Sequence, residues 1–138
     1  MTDLIKHSGQ VFTPGYLVNL ILDEAGYFGT GILRKHCIDN SCGDGAFLCE
    51  IVSRYVKAYL ATDGDPARLP GEISTYIHGI EIDKVAYGNC LENLKTTCSA
   101  LGVECADFDI LNADTLSCGV FDGKMDYVVG NPPYVRVH

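Results

Sequence analysis

The motif Asn131-Pro132-Pro133-Tyr134 combines a side-chain amide, two rigid residues and an aromatic ring in consecutive positions. The amide oxygen of Asn131 is one hydrogen-bond acceptor. The carbonyl oxygen of Pro132 is a second, held in place because Pro132 and Pro133 both have restricted backbones. Acceptors placed against the exocyclic amine of adenine would stabilise the positive charge that develops when that amine attacks an electrophile. Tyr134 offers a face on which a flat base stacks, and Gly130 leaves room for close approach of the base. A base in a duplex would have to flip out to reach this motif.

Three acids lie at or just after the ends of predicted strands. Asp39 opens the segment DNSCGDGAFL, in which Gly43 and Gly45 let backbone pass close to a ligand. A phosphate-binding loop would carry a lysine, whereas this one carries acids, which repel phosphate and attract an ammonium or sulfonium group. Glu81 can accept both hydroxyls of a ribose, and Asp114 can accept from an exocyclic amine. Taken singly, the last two also suit solvated strand-end acids, but together they predict a ligand such as S-adenosylmethionine.

Alternating strands and helices are predicted to position these residues. Such alternation predicts a mostly parallel sheet with helices on both faces, and ligands in these sheets bind at the carboxyl ends of the strands. Thr13 is predicted to cap the first helix and Asp83 the third. The predicted elements are a helix over 13–26, a strand centred on 36–39, a helix over 46–60, a loop over 61–75, a strand over 76–83, a helix over 84–102, and strands over 108–114 and 124–130.

Composition indicates one globular domain without a disulfide framework or a metal site. The sequence has 138 residues, 47% of them apolar, and a net charge of −8. Its seven cysteines form no C-x-x-C pair and are predicted to be buried thiols. The N-terminus lacks a signal-peptide pattern and no apolar run reaches the ~18 residues of a membrane span, so a cytoplasmic protein is expected. The negative charge predicts weak stand-alone binding to nucleic acid.

Together these motifs resemble those of the N6-adenine DNA methyltransferases of restriction–modification systems. The sequence is most similar to the subgroup in which the cofactor motifs precede the catalytic motif. The resemblance implies an α/β fold with a partial Rossmann-like, S-adenosylmethionine-dependent methyltransferase sheet of about four strands with flanking helices. The segments that carry the resemblance are GQVFTP, DNSCGDGAFL, GIEID, NADTL and NPPYVR.

The resemblance also implies roles for individual residues. Thr13 and the loop over 39–45 would hold the methionine part of the cofactor, and Glu81 its ribose. Asp114 would hold the adenine amine of the cofactor, with Thr115 packed on the ring. The implied cofactor contacts are Thr13, Pro14, Asp39, Ser41, Cys42, Gly43, Gly45, Glu81, Ile82, Asp114, Thr115 and Asn131. The implied catalytic residues are Asn131, Pro132, Pro133 and Tyr134.

The family's sheet has seven strands, so the chain resembles the front part of one longer catalytic domain. Residues 1–30 would be a cofactor-clasping segment, and residues 31–138 a cofactor-binding sheet that ends at the N-P-P-Y motif. The later strands, the DNA-reading domain and its basic surface for duplex DNA would lie elsewhere. The isolated chain is therefore expected to bind cofactor without turnover, and its fourth strand would leave an unpaired edge available for self-association.

Two alternatives stay open at this point. Methyltransferases that act on glutamine side chains of proteins, and some that act on RNA, also carry an N-P-P-Y motif. A non-catalytic module that binds the cofactor and serves an interaction role would show the same cofactor motifs.

Overall fold

The computed structural model describes residues 13–104, 107–117, 119 and 123–130. In this part of the chain, helices and strands alternate as the sequence predicts. The helices are α1 (Gly15–Glu24), α2 (Ala46–Leu60), α3 (Leu69–Tyr76) and α4 (Lys84–Ala100). The strands are β1 (Cys37–Asp39), β2 (Ile77–Ile80), β3 (Asp109–Leu111) and β4 (Tyr127–Val129).

The four strands form one sheet in the order β3-β2-β1-β4, and every pair in it is parallel. The register aligns Asp39 with Gly79 on one side and with Val129 on the other. All three residues of β1 are buried, as expected for a central strand of a parallel sheet. Because all the strands run the same way, the chain segments that follow them meet at one edge of the sheet.

Helix α2 is the centre of the core, and its predicted bounds, residues 46–60, are confirmed. Helices α1 and α4 both pack against α2, which itself packs against β2. Burying each large apolar side chain of α2 contributes about 1.5–3 kcal/mol to stability. The predicted apolar stripe is buried throughout, at Phe47, Leu48, Ile51, Val52, Tyr55, Val56 and Tyr59.

Two local predictions are wrong. Residues 61–75 were expected to be a loop because of their Gly, Pro and acidic residues, but they contain a 3-10 turn and then α3. The Asp65 carboxylate accepts from the Ala67 amide to start that turn, and α3 buries Leu69 and Ile73, one helical turn apart. Thr13 was expected to cap α1, but the helix begins at Gly15 without a side-chain cap. Pro14 takes the N-cap position because its ψ of 151° is extended.

The cap predicted for α4 is confirmed, since Asp83 Oδ2 accepts from the Ala86 amide at 2.8 Å.

Arg54 of α2 attaches α1 to the core. Its guanidinium donates to Asp23 Oδ1 at 2.8 Å and to Asn19 Oδ1 at 3.0 Å, both on α1. The same side chain bonds to Glu50 on α2. These bonds fix the middle and the last turn of α1 against α2.

Candidate active site

Asp39 lies at the carboxyl end of β1 and opens the glycine loop, residues 39–45. Its side chain is fully buried, and Oδ1 accepts from the Ser41 amide at 3.1 Å. The pKa of Asp39 is raised to about 7, chiefly by burial and to a smaller degree by the nearby Glu81 carboxylate, while the bond from the Ser41 amide lowers it. A buried acid that titrates near neutral pH at a strand end is typical of a functional site.

Glu81 holds the glycine loop from the neighbouring strand. Its Oε1 accepts from the Gly43 amide at 2.7 Å, and its Oε2 accepts from the Asp83 amide at 2.9 Å. A carboxylate has about four acceptor sites, so one that bonds the loop is also of a type that accepts from ligand hydroxyls. The structure therefore gives Glu81 a second task that the sequence did not indicate, which is to fix the loop that follows β1.

The segment after β3 is hydrogen-bonded to the segments that follow β2 and β1. Asn112 Nδ2 donates to the carbonyl oxygens of Glu81 and Ile82, at 2.8 and 3.1 Å. The Thr115 hydroxyl donates to the carbonyl of Asn40 in the glycine loop. Sequence reasoning missed Asn112, although a side-chain amide directly after a strand is a recognisable signal for such a bridge.

Asp114 and Ile82 face more open surroundings than the two buried acids. Asp114 Oδ1 accepts from the Leu116 amide at 3.0 Å, which fixes the direction of the carboxylate. Ile82 follows Glu81 and is 65% exposed, so its side chain offers an apolar surface at the same edge. Asp109, the other acid near β3, pairs with His78 Nδ1 at 2.6 Å at the opposite end of the strand. The structure thus separates Asp109 from the other acids.

The end of the glycine loop leads directly into α2. Gly45 has a φ of +98°, and a Cβ there would lie 3.0 Å from Cys90 Sγ, so both conformation and space favour glycine. Cys42 is buried with its Sγ 3.9 Å from Cys90 Sγ. Helix α2 begins without a side-chain cap, which leaves the positive end of its dipole directed at the loop.

Thr13 and Pro14, the predicted clasp residues, lie near the same helix start. They line a groove of about 460 Å³ together with Ala46, the first residue of α2. The structure thus brings the glycine loop together with Asp39 and Glu81, and it places the clasp residues beside the first turn of α2. Asn131, Pro132, Pro133 and Tyr134 lie outside the described residues, which end at Gly130 beside Asp39.

The described part of the chain contains neither a candidate metal centre nor a candidate membrane-spanning helix. Over the described ranges, no three or more His, Cys, Asp or Glu side chains are grouped so that they could hold a metal ion. No helix within that same part of the chain is long and apolar enough to cross a membrane.

Comparison with known proteins gives one family. A model of the family described as N-6 DNA Methylase matches residues 2–137. Type II methyltransferase M.BstVI of Geobacillus stearothermophilus is 32% identical over 93% of the chain, which corresponds to 25% of that protein. Type II methyltransferase M.PaeR7I of Pseudomonas aeruginosa is 30% identical over 96% of the chain and 24% of that protein. The chain therefore spans about a quarter of the length of these relatives.

Solved structures share the fold at lower identity. The type ISP restriction-modification enzyme LlaBIII bound to DNA superposes with a TM-score of 0.61 and 17% identity, over 90% of this chain and 9% of that one. An RNA methyltransferase of Salinibacter ruber in complex with S-adenosyl-L-homocysteine gives a TM-score of 0.54 at 19% identity, over 84% of this chain and 57% of that one. At these identities the likeness concerns the fold.

Proposed function

Because the chain belongs to the N-6 DNA methylase family, we propose that its protein transfers a methyl group from S-adenosylmethionine to the N6 amine of adenine in duplex DNA. This reaction would be the modification step of a restriction–modification system. The observation that carries the proposal is the glycine loop, which two buried acids fix at the carboxyl edge of the sheet. The loop contains no lysine, so it is suited to a cationic adenosine cofactor and unsuited to a nucleotide phosphate.

The residues present fit S-adenosylmethionine. The ammonium group of its methionine part would favour the ionised form of Asp39, whose burial otherwise favours the neutral acid. The uncapped start of α2 would attract the carboxylate group. Glu81 would accept from the ribose hydroxyls, and Asp114 with Ile82 would hold the adenine. The cofactor supplies an electrophilic methyl group carried on sulfur.

The N-P-P-Y motif would bind the target base. The Asn131 side chain and the Pro132 carbonyl would each accept a hydrogen bond from the adenine amine, which directs the lone pair of the amine away from the ring. Pro133 would keep the Pro132 carbonyl fixed, and Tyr134 would stack on the base. None of these groups acts as a nucleophile, so the proposal requires no covalent bond between enzyme and base.

DNA recognition would depend on parts of the protein outside this chain. With a net charge of −8, the 138 residues repel phosphate. We infer that the chain forms the front part of one catalytic domain, with a clasp over residues 1–30 and a sheet over residues 31–138. The relatives are about four times as long as the stretch that matches, which leaves room for a basic DNA-reading region.

An acceptor assay tests this proposal. The full-length protein would be incubated with tritium-labelled S-adenosylmethionine and, in separate reactions, duplex DNA, RNA or a protein rich in accessible glutamine. We expect label only in the duplex DNA and none with the Asn131→Ala variant, which lacks one of the two acceptors. Label in RNA or in glutamine alone would replace the proposal with one of the other N-P-P-Y activities. Binding of cofactor with no transfer to any acceptor would favour a binding module.

A further inference from the structure

Gly130 and Asp39 meet at the carboxyl ends of two adjacent strands. Asp39 ends β1 and pairs in register with Val129, the last residue of β4, which Gly130 follows. A Cβ added to Gly130 would lie 2.4 Å from Asp39 Oδ1 and 3.0 Å from Asp39 Cγ. The sequence suggests that Gly130 makes room for a target base, but in the structure the Asp39 carboxylate takes up the space beside its Cα.

The same carboxylate also organises the cofactor side of the site. Oδ1, the atom next to Gly130, accepts from the Ser41 amide in the glycine loop at 3.1 Å. Asp39 is 1% exposed, so the carboxylate has little space into which it could retreat. Gly130 directly precedes Asn131 in the sequence. The buried Asp39 carboxylate thus contacts both the loop after β1 and Gly130, the residue before the N-P-P-Y motif.

We propose that Gly130 is a positioning residue that couples the cofactor loop to the N-P-P-Y motif through direct contact with the Asp39 carboxylate. This inference rests on the proposed function. A side chain at position 130 would push the carboxylate away from the Ser41 amide and loosen the glycine loop. A substitution next to the catalytic motif would therefore weaken cofactor binding, although no cofactor contact is assigned to Gly130 itself.

Backbone strain is a second consequence of any substitution and needs its own control. Gly130 has a φ of +132°, a conformation that residues with a Cβ rarely adopt. Gly102, after α4, has a φ of +75° and no atom within 4 Å of its added Cβ. Gly102→Ala therefore places a side chain at a positive φ without a clash, and an Asp39→Ala background removes the clash at position 130 while the strain there remains.

The test measures the dissociation constant of S-adenosyl-L-homocysteine by calorimetry on the full-length protein. We expect Gly130→Ala to weaken binding by about tenfold or more, as for loss of one charge-assisted hydrogen bond, and Gly102→Ala to leave it unchanged. In an Asp39→Ala background, Gly130→Ala should cause little further loss, because the group that it displaces is absent. Wild-type affinity in Gly130→Ala, or losses that add in the double variant, would overturn the inference.

A second pair of variants changes Asp39 instead of Gly130, and it tests the same contact if Gly130→Ala does not fold. Asp39→Glu keeps the charge and adds a methylene group towards Gly130, whereas Asp39→Asn keeps the size and removes the charge. If contact with Gly130 positions the motif, kcat at saturating cofactor falls further in Asp39→Glu than in Asp39→Asn. The reverse order would contradict the inference. A wild-type protein that binds no cofactor would contradict the proposed function as well, whereas the outcomes above concern the coupling alone.

Discussion

Replacing Asp39 with asparagine is expected to stabilise the protein above neutral pH while weakening cofactor binding. The substitution keeps the shape of the side chain and the acceptor for the Ser41 amide, but removes the negative charge. Because Asp39 is fully buried, its ionised form is costly in the fold. A destabilising charge at a binding site is expected where function requires it.

The size and the sign of the change in unfolding free energy with pH follow from the pKa of Asp39. Its ordinary value of 3.8 is raised in the fold to about 7. The unfolded chain therefore gives up the proton first, and ionisation favours unfolding. The stability that the neutral acid contributes is complete below about pH 4 and is lost as the pH rises through 7. Between pH 5 and pH 8 the wild-type protein should lose about 2–3 kcal/mol of unfolding free energy from this group alone.

Urea denaturation at pH 5, 6, 7 and 8 measures this loss. Titrating groups that do not interact with Asp39 act equally in both proteins, so the informative quantity is the difference between Asp39→Asn and wild type at each pH. That difference should grow in favour of the variant by about 2–3 kcal/mol from pH 5 to pH 8. If the unfolding free energies of the two proteins changed in parallel with pH, the assignment of a raised pKa to Asp39 would be refuted.

Three further predictions concern the site and the core. Glu81→Ala should lower the unfolding free energy by about 1.5–3 kcal/mol, because two backbone amides lose a charged acceptor, and should also weaken S-adenosyl-L-homocysteine binding in calorimetry; unchanged stability would show that these bonds contribute nothing net. Tyr27→Phe should be neutral or stabilising by up to about 2 kcal/mol in urea denaturation, because the buried Tyr27 hydroxyl finds no hydrogen-bond partner within the described ranges; a clear loss of stability would reveal a partner. The isolated 138-residue chain should transfer no label to duplex DNA, since it is acidic and carries little surface for base flipping; transfer that Asn131→Ala abolishes would show that the chain is sufficient.

Much of the fold could be predicted because its local signals agree with each other. Helix α2 combines helical spacing of apolar residues with a glycine at its start, and its bounds were predicted correctly. The Asp83 cap of α4 likewise matches. Helix α3 was missed because it is short and begins among Pro, Gly and acidic residues. Burial of Leu69 and Ile73 stabilises it, together with the hydrogen bond that Glu72 accepts from the Tyr55 hydroxyl.

The site was predictable to the level of its strand ends and no further. Periodicity places Asp39, Glu81 and Asp114 after successive strands, and the parallel order brings those ends to one edge. Which backbone groups these acids contact depends on register and loop path, which the residue pattern does not encode. The bond of Glu81 to Gly43 and the contact of Asp39 with Gly130 are of this kind.

The central claim is that the protein methylates the N6 atom of adenine in DNA. The most direct measurement treats unmodified duplex DNA with the full-length protein and S-adenosylmethionine, digests the DNA to nucleosides and weighs them by mass spectrometry. The account predicts N6-methyladenine as the single new nucleoside and its absence with Asn131→Ala. Methyl groups found only on cytosine, with adenine unmodified, would contradict it.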